Sequence, residues 1–76
     1  MSQDVDILFE ELISGQRRKL YRLAQLVIPH ITEDDLLQPN DFADLENHPL
    51  FRYEEGVLEG LLTAQMAYRA SFVEKK

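Results

Sequence analysis

The 76-residue chain contains no cysteine and no tryptophan, and it has three glycines and three prolines. Without cysteine there is no disulfide, thiolate metal site or thiol nucleophile, so a domain this short cannot be held by the staples small folds often use. The composition suits a reducing compartment. No apolar run approaches the ~20 residues needed to cross a bilayer. Acids stand near the start, at Asp4 and Asp6, where a secretory leader would place bases. These features lead to the expectation of a cytoplasmic protein without a membrane segment. Period-two alternation is missing, as are the Asn-Gly and Asp-Gly turns of hairpins, so no strand is expected.

Bases are scarce as well: 8 against 14 acids, a formal charge of −6. That balance argues against general attraction to nucleic acid or anionic lipid. The charge is also unevenly placed. Between Glu33 and Glu59 there are nine acids and one base, Arg52, while Arg17, Arg18, Lys19 and Arg22 make up half of all the bases.

What is present is helical periodicity. Val5, Phe9, Leu12, Ile13, Gln16, Leu20, Leu23, Ala24 and Val27 recur at three/four spacing, which predicts a helix over about 4–28, capped by Ser2 or Asp4 and stopped by Pro29. Ser14-Gly15 in its middle is a point where it could bend. A second long helix is predicted over about 49–72, opening on Asn47-His48-Pro49 with proline at its first position. Its expected buried side is Leu50, Tyr53, Val57, Leu58, Leu61, Ala64, Gln65, Tyr68 and Phe72. The connection is long enough to carry structure of its own. Short helical turns are expected within about 32–46, one capped by Thr32 and closed by Pro39, another capped at Asn40-Asp41. Ile31, Leu36, Leu37, Phe42 and Leu45 should fold over the helix ends as a lid.

The fold class is therefore all-α: one domain, an antiparallel hairpin of two long helices with a short helical lid. With Ile28 level with Pro49, Arg22 falls near Glu55, Arg18 near Glu59, and Asp6 or Glu10 near Arg69, which favours antiparallel pairing. Gly56, Gly60 and Ala64 form a ridge without side chains, read as a shallow groove for Tyr21. Two helices cannot cover each other's wide apolar stripes, so the hairpin is expected to dimerise into a four-helix bundle. Leu8, Leu26, Phe51, Leu62 and Met66 are the expected self-association residues.

Site chemistry is thin. His30 and His48 bracket Glu33, Asp34, Asp35, Asp41 and Asp44, a set with the donor types for zinc, manganese or iron, His30, His48, Asp34 and Asp35 being the candidate ligands. It lacks Glu-x-x-His or His-x-x-x-His spacing and the alternation of a calcium loop. Adjacent carboxylates on a helix diverge by about 100° and do not form an acid/base dyad. No nucleophile elbow or phosphate-binding glycine loop occurs. The expectation is a non-enzyme without cofactor: a small adaptor, regulator or chaperone-like protein acting through protein contacts. Its acidic lid, Glu33, Asp34, Asp35, Asp41 and Asp44, would receive a basic protein partner. Two alternatives remain: a metal- or small-ligand-binding bundle using His30 and His48, and a nucleic-acid-associated regulator using Arg18, Lys19 and Arg22.

Overall fold

The computed structural model describes residues 2–38 and 41–74. It is all-helical, with no strand among the described residues. Helix α1 spans Ser2–Val27, a 3-10 turn spans Asp34–Leu37, α2 spans Ala43–Glu46 and α3 spans Pro49–Glu74. The two long helices pack together as an antiparallel hairpin, and the chain measures 46 × 20 × 18 Å. No described helix is long and apolar enough to cross a membrane.

α1 runs unbroken through Ser14-Gly15 and ends one residue earlier than its periodicity suggests. Pro29 follows after one further residue, Ile28, whose amide closes on the Ala24 carbonyl at 2.7 Å. The 3-10 turn is held by a reciprocal pair. Asp35 N–H donates to Thr32 Oγ1 at 3.2 Å, and Thr32 N–H donates to Asp35 Oδ2 at 3.0 Å. This is a capping box with aspartate in place of the usual Glu or Gln. Pro39 and Asn40, the expected stop and second cap, lie outside the described residues. α2 begins after Phe42, with no side-chain cap.

His48 caps α3. Phe51 N–H donates to His48 Nδ1 at 3.2 Å, the position-three amide that an N-cap side chain normally satisfies. An acceptor at Nδ1 requires that nitrogen to be unprotonated. Replacing His48 with alanine strands that amide and should cost about 1 kcal/mol. In a domain this small, that lowers the melting temperature by about 4–8 °C, as checked by circular dichroism.

The core sits at one end of the hairpin. Leu20, Ala24, Ile31, Leu45 and Phe51 form it, with Tyr21, Leu23, Val27, Ile28, Leu36, Phe42 and Leu58 packed around them. Leu45 and Phe51 are fully enclosed, at 0% and 1% exposure. Phe51, expected on the association surface, is therefore a core residue, because the lid closes over the start of α3. Leu50 and Tyr53, expected inside, are exposed. The first turns of α3 are rotated by about one residue relative to the apolar count, which brings Glu54 inward instead. The far end has no such cluster. There Phe9 meets Tyr68 at 5.8 Å between ring centroids, and Tyr68 meets Phe72 edge-on at 4.9 Å.

Candidate interaction surface

The long helices are joined across their seam by a polar group that the sequence reading missed. Gln16 Nε2 donates to the Glu54 backbone oxygen at 2.9 Å and to Glu54 Oε1 at 2.8 Å. Lys19 Nζ lies 3.1 Å from Glu54 Oε2. Glu54 is only 6% exposed. Its carboxyl is held below the ordinary glutamate range, first by the Gln16 hydrogen bond, then by the hydrogen bond and charge of Lys19, with burial acting in the opposite direction. The sequence signal was Gln16 itself, a polar residue at a stripe position that requires a polar partner.

Toward the far end, Arg69 Nε stands 3.9 Å from Asp6 Oδ1, the expected pairing. That oxygen is enclosed and accepts no hydrogen bond among the described residues. Tyr68 nearby has its phenol pushed up, by burial first and then by the Asp6 charge. Of the acids in the other two expected pairs, Glu55 takes Arg52 at 3.5 Å within the same helix instead of Arg22, and the base that reaches across the seam is Lys19, to Glu54. Arg18 and Arg22 are exposed. At about 100° per residue they point away from the seam defined by Leu20 and Ala24, so they do not reach α3.

The hairpin has two unlike sides. On one, the 3-10 turn lies across the helices, and Arg17, Leu20, Tyr21 and Leu58 enclose a cleft of about 120 Å³ with Glu33, Leu36 and Leu37. A shallow groove continues along this side, where Glu10, Ile13, Ser14 and Arg17 face Leu62, Gln65 and Arg69. Met66, one turn beyond Leu62, belongs to this side. The other side has no lid. It carries Leu8, Leu12 and Leu26 from α1, roughly 80–120° round the helix from Leu20. From α3 it takes Leu50, Tyr53, Val57, Gly60 and Ala64, with the Lys19–Glu54 pair lying between the helices.

The expected association set is thus divided. Leu8 and Leu26 lie on the bare side, Leu62 and Met66 on the lid side, and Phe51 in the core. Leu26 is 82% exposed and Met66 65%, so each is available, but they do not form one surface. The glycine ridge is also not filled by Tyr21. A Cβ built at Gly56 or Gly60 meets nothing within 4 Å. The Tyr21 hydroxyl instead points to the lid, donating to the Ile31 carbonyl at 3.4 Å.

Of the expected partner-facing acids, Glu33, Asp34, Asp41 and Asp44 are exposed. Asp35 is not free for a partner, because its carboxylate closes the Thr32 box. The candidate metal ligands do not assemble: among the described residues no three His, Asp or Glu side chains are grouped to hold an ion. His48 is engaged as a cap through Nδ1, while His30 is exposed. Comparison with protein-family models, with curated proteins and with solved structures finds no match. The bare apolar side and the acids of the connection are both exposed to solvent.

Proposed function

We propose that this chain acts through protein–protein contact, as a homodimer whose two hairpins form a four-helix bundle and whose acidic connection receives a basic protein. This makes it a small adaptor, regulator or chaperone-like protein. The cytoplasm is the proposed setting, which a cysteine-free chain suits.

One observation carries the reading: the chain exposes more surface than a folded monomer of its mass. Its accessible surface is 5695 Å², against ~4,800 Å² for a compact 8.9 kDa protein. The radius of gyration is 14.8 Å, against about 11 Å for a compact domain of this length. Large apolar side chains are exposed on it, among them Leu8, Leu12, Leu26, Leu50 and Tyr53. Contiguous patches of this kind mark association sites. The carboxylates of Glu33, Asp34, Asp41 and Asp44 are exposed to solvent.

Sedimentation equilibrium at tens of micromolar tests the first half. A species of twice the chain mass, with a melting temperature that rises with protein concentration, is the expected result. A monomer at every concentration overturns the reading. For the second half, Asp34→Lys with Asp44→Lys should leave helicity unchanged while abolishing binding to a lysine-rich peptide.

A further inference from the structure

We propose that the bare side receives a second copy of this chain, with α1 of each copy lying along α3 of the other about a two-fold axis parallel to the rod. This rests on the dimer reading and specifies its geometry.

The first argument is area. The surplus over a compact monomer is ~900 Å², close to the ~800 Å² that each partner contributes to a stable interface. One long face of the 46 × 20 × 18 Å rod spans an area of that order, and the other side carries the lid at one end and the charged groove of Glu10, Arg17 and Arg69 along the rest.

The second argument is shape. The α1 edge of the bare side is a ridge of bulky groups, Leu8, Leu12 and Leu26, all exposed. The α3 edge is a flat track through Gly60 and Ala64, with open space above Gly60. The Asp6–Arg69 and Phe9–Tyr68 contacts set the level of the two helices. Leu12 accordingly stands level with Ala64 of the track, and Leu8 one turn farther out, level with Tyr68. An axis parallel to the rod exchanges the edges without moving them along it, so the ridge of each copy meets the track of the other. Each α1 then runs antiparallel to both α3 helices it touches, the arrangement of an up-and-down bundle. A two-fold axis across the rod would instead set ridge on ridge and track on track.

Charge fits this arrangement. Between Tyr53 and Ser71, the α3 residues on this side are uncharged apart from Glu54, which pairs with Lys19 within its own chain. Of the exposed acids of the connection, Glu33 lines the lid-side cleft. Two copies meeting on the bare side keep that acid out of the contact.

The absence of native cysteine makes the test direct. Leu12→Cys and Ala64→Cys are prepared separately, checked for helicity, mixed, refolded together from urea and mildly oxidised. The mixture should give a covalent dimer containing one chain of each kind, in large excess over what either variant gives alone. Leu12→Glu should weaken dimerisation by about tenfold or more, while Met66→Glu on the lid side should leave it unchanged. A dimer by sedimentation that gives no mixed crosslink, or that crosslinks equally well with either variant alone, overturns this geometry and leaves the dimer reading standing. A monomer overturns both.

Discussion

Leu45→Ala is expected to leave the chain largely unfolded at 37 °C. The side chain is fully enclosed and belongs to the lid, yet it packs in the same cluster as Ala24 of α1 and Phe51 of α3. Truncating a buried leucine costs about 2–5 kcal/mol, because the cavity relaxes only partly. A single core in a chain this short supplies roughly 3–5 kcal/mol in total. The loss and the whole are of the same size, so helicity at 222 nm should fall and any remaining melting transition should broaden. Leu37→Ala is the matched control, since Leu37 is exposed in the same connection. It should change stability by no more than about 0.5 kcal/mol. A Leu45→Ala protein that melts as the parent does would show that the lid is not part of the core.

Acid should weaken the seam between the long helices, and Glu54 is the reason. Its carboxyl titrates below the ordinary glutamate range in the folded chain, with the Gln16 hydrogen bond as the leading cause. A carboxyl with a depressed folded value stabilises fully above its unfolded value, near ~4.3, and that contribution is lost as pH falls through the folded value. The urea midpoint should therefore be flat above about pH 5 and should drop on further acidification. Glu54→Gln should start from a lower midpoint at neutral pH and show a shallower acid drop, because the titrating group has gone. Gln16→Ala should raise the pH at which the drop occurs. Parallel acid profiles in all three proteins would remove Glu54 from the account.

The architecture was legible because its signals are local and redundant. Periodicity, the prolines at 29 and 49 and the Thr32 box each act within a few residues, and the structure places α1, the lid turn and α3 where those signals point. The rotation of α3 was not legible. Leu50 and Tyr53 look like core residues to any hydropathy count, yet the enclosed position between them is Phe51, and Glu54 follows it inward. That choice is made by tertiary contacts, the lid above Phe51 and Gln16 opposite Glu54, which no window of neighbouring residues contains. The site residues suffered the same way. Leu8 and Leu62 look equivalent as leftover apolar groups on their helices. Only the pairing of the two helices separates them, since Leu62 lines the groove shared with Ile13 and Arg17 while Leu8 lies on the other side of the seam. His48 shows how a residue type can mislead: beside an acidic loop it resembles a ligand, but the free amides at the start of α3 had the prior claim on its ring nitrogen.

The placement of the core has a mechanical consequence. Every residue of the main buried cluster lies toward one end of a rod 46 Å long, while the opposite end rests on a few aromatic rings and the Asp6–Arg69 pair. Local opening free energy follows the density of buried apolar packing, so the helical pair is stiff where the lid clasps it and compliant at the distal tip. The two turns around Phe9 and Tyr68 can therefore open locally without disturbing the clasp.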